Sequence, residues 1–203
     1  MYIKQIYTNC LSQASYYVES AGESIIIDPI RDSNLYLDLV KERNSNVKYI
    51  FETHFHADFV SGHLDLSKLL NANIVFGPGA DTKYNVINAL HEQYFEIGKI
   101  KIKVLHTPGH TPESSSFLLF DEEGNEHAVF TGDTLFVGEV GRPDLAVSQE
   151  LSKEFLAGQL YDSLNNILMK LNDTTILYPG HGPDRKSTRL TPSPVTISYA
   201  VFC

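Results

Sequence analysis

The chain has 203 residues, 42% of them hydrophobic, enough for one well-buried domain. A formal charge of −9, with no cluster of lysine and arginine, argues against nucleic acid or an anionic membrane as the main partner. The two cysteines, Cys10 and Cys203, have the spacing of neither a zinc knot nor a redox dithiol, the N-terminus does not read as a signal peptide, and no apolar run approaches a membrane span of about 20 residues, so a soluble cytoplasmic protein is expected.

Residues Tyr2 to Thr8, Ala14 to Glu19 and Ser24 to Ile30 are predicted as three strands of a meander, rich in Tyr, Val and Ile. A helix follows from Ser33, a credible N-cap, to Arg43, and Val47 to Thr53 reads as a continuous apolar strand buried on both faces. Leucines near helical spacing mark Gly62 to Asn71, then comes a short strand from Asn73 to Phe76, and Tyr84 to Leu90 is predicted as one or two helical turns. A second meander is predicted from Tyr94 to Ile97, Ile100 to His106, Ser114 to Phe120 and Ala128 to Thr131. Gln149 to Leu171 reads as two helical pieces separated near Gly158, and Thr174 to Tyr178 is the last strand. Strands in two batches, each followed by helices, suggest an α/β protein of two packed sheets with helices outside.

Four segments end in metal-ligand residues directly after apolar runs: Thr53-His54-Phe55-His56-Ala57-Asp58, Thr107-Pro108-Gly109-His110, Thr131-Gly132-Asp133 and Tyr178-Pro179-Gly180-His181. Side chains two apart on an extended segment point the same way, so His54 and His56 are expected to face one point where a strand ends. Donors on loops held by a rigid sheet make a good metal site. By residue type the site is open between a facial triad with free positions for substrate, as iron uses, and a tetrahedral zinc site made by His54, His56 and His110.

In order and register these segments resemble the motifs of the metallo-β-lactamase superfamily, which implies an αββα sandwich with the metal at one edge, over a domain of residues 1–185. Dinuclear zinc hydrolases of that superfamily, such as glyoxalase II, carry a histidine where this chain has Phe59, and a benzyl group cannot coordinate. The stretch from Gly132 to Leu145 is similar to persulfide dioxygenases, especially the bacterial forms often fused to rhodanese domains. That resemblance implies one Fe(II) per chain, held by His54, His110 and Asp133, with zinc as the alternative. It implies a thiol persulfide and dioxygen as substrates, sulfite as product, and the oxidoreductase chemistry of sulfur metabolism. Tyr178, His56 and Asp58 are then the expected catalytic residues, the two last by hydrogen bonding beside the metal. Arg142 would bind the carboxylate of a thiol carrier, the alternative being an ion pair with Asp144 or Glu139, and His181 would lie behind the ligands or hold a second metal. A zinc-dependent thioester hydrolase of glyoxalase II type is the second reading. A homodimer and a rhodanese domain in a longer native chain are left open. The tail 186–203, KSTRLTPSPVTISYAVFC, breaks the pattern abruptly and is expected to be non-native.

Overall fold

The computed structural model describes residues 1–147, 151–182 and 188–189. Its first sheet begins with the antiparallel strands β1 (Tyr2–Thr8), β2 (Gln13–Ser20) and β3 (Glu23–Ile27). The two-residue turn between β2 and β3 places Ala21 at φ 51° and Gly22 at φ 82°, the left-handed pair that matches strand twist in a tight hairpin. Two helical crossovers then extend the sheet: α1 (Asn34–Arg43) leads to β4 (Asn46–Glu52), parallel to β3, and α2 (His63–Leu70) leads to β5 (Asn73–Phe76), parallel to β4. Both helices stop at an asparagine in the left-handed region, Asn44 at φ 49° and Asn71 at φ 52°. The short β6 (Ile87–Asn88) completes the order β1-β2-β3-β4-β5-β6.

The second sheet is the expected meander of β7 (Tyr94–Ile97), β8 (Ile100–His106), β9 (Ser115–Phe120) and β10 (Glu126–Gly132). After α3 (Lys153–Asp162) the chain returns as β11 (Ile176–Pro179), parallel to β10, and β12 (Thr188–Arg189) pairs antiparallel with β11. Apart from β12, the tail expected to be non-native lies outside the described residues.

Alternation along the strands decides the layering. Ile25, Ile27, Phe51 and Val75 point from the first sheet into a shared core with Ile102, Val104, Phe117 and Phe130 of the second, where the rings of Phe51 and Phe117 lie 4.8 Å apart. Residues of the other parity, Tyr17, Ile26 and Ile50, face α1 and α2, while Leu105, Leu118, Val129 and Leu177 face α3. Each such side chain, fully buried, contributes about 2 kcal/mol, and the result is the αββα sandwich. Among the described residues, no helix is long and apolar enough to cross a membrane.

Three local expectations fail. Residues Tyr84 to Leu90 form no helical turn, because the open edge of β5 captures the chain as β6, with Ala89 N donating to the Phe76 carbonyl at 2.8 Å. Helix α3 runs through Gly158, which has open space around it, and the break comes later, where Ser163–Ile167 widens into a π turn followed by a 3-10 turn at Leu168–Lys170. Ser33 precedes α1 without capping it by its side chain; the nearby Asp32 carboxylate accepts from Asn34 N instead.

At the edge where β10 ends the sheets lie close, and glycine permits it. Gly132, at the end of β10, has φ 49°, and a Cβ there would stand 2.4 Å from Thr53 Oγ1 across the interface. Gly124 also has a positive φ of 86° but nothing within 4 Å. Gly124→Ala is therefore expected to cost about 1 kcal/mol, backbone strain alone, and Gly132→Ala about 3 kcal/mol, strain plus overpacking, as read by equilibrium denaturation.

Candidate metal centre

Strand β4 ends at Glu52, and residues 53–59 follow as bends rather than as an extended segment. His54 stands at the exit of β4, His110 on the loop between β8 and β9, and Asp133 one residue past β10, so three strand ends deliver one side chain each to the same edge. One ligand atom from each lies within 4.8 Å of the others. Asp133 Oδ2 is 3.9 Å from His54 Nε2 and 3.5 Å from His110 Nε2, and the two imidazoles stand nearly perpendicular at 87°.

Hydrogen bonds settle which nitrogen of each ring is free. Thr53 Oγ1 spends its one proton on the Asp28 carboxylate at 2.8 Å, so it can only accept from His54 Nδ1 at 2.9 Å. His110 Nδ1 faces the Arg142 carbonyl at 3.0 Å, which also can only accept. Both rings therefore carry their proton on Nδ1 and turn the Nε2 lone pair toward Asp133. Burial, reinforced by His56, His110 and His181, holds the His54 pKa well below the usual imidazole range and keeps the ring neutral.

Asp133 uses its second oxygen on another flank. Its Oδ1 is buried with no hydrogen-bond partner and lies 3.6 Å from His181 Nε2, which in turn is 3.1 Å from Asp58 Oδ2. Gly180 makes room, since a Cβ there would come within 2.8 Å of Asp133 Oδ1. Burial raises the Asp133 pKa, against the pull of His181, His110 and His56, the mark of a carboxylate taken out of water. Two imidazoles aimed by their Nδ1 hydrogen bonds, a desolvated carboxylate with an orphaned oxygen and a glycine-lined gap all fit a bound metal ion.

His56 does not share this point, contrary to the alternation argument. The bends after β4 turn it to a second buried group, 3.2 Å from Asp28 Oδ1 and 3.6 Å from Glu52 Oε2, although its ring still lies 4.2 Å from that of His54. Burial alone would lower its pKa, but Asp28 and Glu52 outweigh that and lift it to about 9. Burial pushes Glu52 up to about 8, against His56 and a 2.7 Å hydrogen bond from Ser61, and it pulls His63 down to about 4.

Asp28, Glu52 and Thr53 were not singled out from the sequence. The available signals were a carboxylate and a threonine closing the apolar run of β4, and Asp28-Pro29 at the end of β3. Phe59 packs its ring 4.3 Å from that of His56. Tyr178 packs into the inter-sheet core, stacked on Phe130 at 5.2 Å. The Arg142 guanidinium pairs with Asp144 at 3.0 and 2.8 Å, so in this structure the residue serves the site through its carbonyl. Helix α3 and the π turn after it brace the loop that carries His110: Ser163 Oγ donates to the Pro108 carbonyl at 2.8 Å, and a Cβ on Gly109 would stand 2.4 Å from Leu160.

The bond from Thr53 to His54 can be tested by metal affinity. Thr53→Val, which removes the acceptor for Nδ1–H, is expected to weaken zinc binding roughly 10- to 100-fold in a chelator competition, whereas Thr53→Ser retains it.

The profile of the Metallo-beta-lactamase superfamily matches residues 8–181. A probable hydroxyacylglutathione hydrolase of Schizosaccharomyces pombe is 34% identical over 168 residues, which are 80% of this chain and 60% of that protein. Further curated relatives carry the same hydroxyacylglutathione hydrolase name. Among solved structures, a metallo-beta-lactamase from Staphylococcus aureus superposes with a TM-score of 0.82 at 42% identity, covering 95% of this chain and 59% of that one. ETHE1 from Myxococcus xanthus gives 0.81 at 32% identity, covering 93% and 80%. The chain thus spans 60% of the length of the S. pombe relative.

The shared name of the curated relatives overturns the persulfide-dioxygenase reading, and with it the oxidoreductase class and the reason for preferring iron. The physical reason lies at Phe59. Phe59 removes one donor from the second flank, yet Asp58, Asp133 and His181 stand together there. With its profile match from residue 8 to 181 and its donors delivered from four strand ends to one edge of an αββα sandwich, the chain belongs to the metallo-β-lactamase superfamily.

Proposed function

We propose that the chain is a zinc-dependent thioester hydrolase acting on hydroxyacyl thioesters of glutathione. The observation that carries this is Asp133, whose two oxygens face two flanks, one toward His54 and His110 and the other toward His181 and Asp58. A carboxylate so placed suits hydrolytic centres that handle both an attacking and a leaving group. The name of the curated relatives supports the substrate class. Mixed imidazole and carboxylate donors suit zinc.

Metal held by these residues would supply Lewis acidity toward a carbonyl oxygen and toward water. The chain's own groups do the rest. His54 and His110, locked by Thr53 and by the Arg142 carbonyl, keep their Nε2 lone pairs on target without reorganising. Asp58, with a side chain 44% exposed, is open to solvent and can take a proton from water at Oδ2. No strong general acid is required at the other end, because a thiol with a pKa of about 8.5 leaves readily as thiolate. The Arg142 fork, exchanging Asp144 for a ligand carboxylate, suits the anionic carrier. A reducing cytoplasmic setting belongs to the same proposal, supported by the exposed free thiol of Cys10.

The test is thiol release from a hydroxyacyl glutathione thioester by zinc-loaded protein. Metal-dependent release is expected, and its absence with metal bound would refute the assignment. His110→Ala should lose metal and lower kcat/KM by more than about a hundredfold. Arg142→Gln should raise KM about tenfold with kcat little changed, as loss of uniform binding does.

A further inference from the structure

Residues 179–182 carry His181 between two glycines, and they are held from the opposite sheet. Tyr16 Oη donates to the Pro179 carbonyl at 2.6 Å, Ala14 N to the Gly180 carbonyl at 2.8 Å, and Tyr7 Oη to the Gly182 carbonyl at 2.5 Å. Gly182 N donates back to the Ser12 carbonyl at 3.3 Å. The strand pair β1 and β2, with Tyr7 opposite Ala14 in register, therefore grips a loop that belongs to the second sheet.

His181 has little local means of fixing itself. Gly180 cannot take a Cβ without meeting Asp133, and Gly182 sits at φ 147°. Gly180 serves that close approach, Gly182 has nothing within 4 Å but a backbone angle that favours glycine, and both leave the backbone around His181 freer than other residues would. The restraint must come from partners outside the loop. Tyr16 is well suited, because it is buried with its ring 5.0 Å from Phe130 and 5.2 Å from Tyr178. Burial, with Tyr178 and Asp28 nearby, pushes its pKa above the usual phenol range, so its hydroxyl remains a donor.

We propose that Tyr7 and Tyr16 are positioning residues for His181, their hydroxyls fixing the carbonyls on either side of it so that its imidazole stands against Asp58 and Asp133. The proposal rests on the reading of that flank as part of the metal centre. It makes the N-terminal hairpin, which contributes no metal donor of its own, responsible for how firmly that flank holds a cation.

The first readout is the set of imidazole proton–nitrogen correlations of the metal-free protein, with His181 assigned through His181→Ala. In Tyr7→Phe, Tyr16→Phe and the double variant the His181 signals are expected to shift, while those of His106, whose Nε2 lies 2.9 Å from the Pro112 carbonyl, stay in place. The second readout is zinc titration, in which the binding step weakened by His181→Ala is expected to weaken about tenfold in the double variant. Unmoved His181 signals overturn the proposal, as does a parallel shift of His181 and His106 that tracks a lowered melting temperature. Tyr7→Phe alone gives the same readouts if the double variant does not fold. If His181→Ala leaves zinc binding unchanged, the metal reading of that flank fails, and the hydroxyl proposal is decided by the imidazole signals.

Discussion

The centre depends on one carboxylate held away from water. Asp133 reaches its place because Gly132 brings β10 against Thr53 and because Gly180 leaves a gap over one oxygen. A buried carboxylate is costly unless something positive or hydrogen-bonding faces it. Here one oxygen faces His54 and His110, whose rings the surrounding hydrogen bonds have already oriented, and the other faces His181, so the site suits a cation between them. The close approach of the two sheets at this edge and the chemistry available there are thus the same fact. A looser sandwich would fold, but its donors would stand apart.

Behind this front lies a second buried group, Asp28, Glu52 and His56, that shares no ligand atom with it and still controls it. Asp28 accepts from both the Thr53 amide, at 2.7 Å, and the Thr53 hydroxyl, so it fixes the residue that orients His54. It does so from the left-handed region at φ 49°, a conformation that a non-glycine residue holds at some cost. Charge in this layer is balanced between a histidine lifted by two carboxylates and Glu52, pressed upward by burial. The arrangement stiffens the floor on which the metal donors stand.

Much of this was legible in the residues. The strands of both meanders, the internal character of β4 and the four ligand-bearing segments follow from alternation, apolar runs and motif order. What escaped did so for physical reasons. Tyr84 to Leu90 carries no local reason to be a strand; it becomes one because β5 has an open edge. Gly158 looked like a break on propensity alone, yet nothing crowds α3 there, and the turn widens where Ser163 reaches toward Pro108. Alternation aims His54 and His56 together only on an extended backbone, and β4 ends at Glu52, before either histidine. The choice between oxidising and hydrolysing branches turned on Phe59, a single donor position, whereas Asp58, Asp133 and His181 stand together on the same flank.

Helix α3 lies on the outside of the sandwich, but its contacts with Pro108 and Gly109 press it onto the loop that carries His110. An outer helix is among the first elements to fray on warming. Loosening of that loop on heating would then precede collapse of the two sheets, and the temperature at which the donors lose their geometry would be set by the outermost layer rather than by the core.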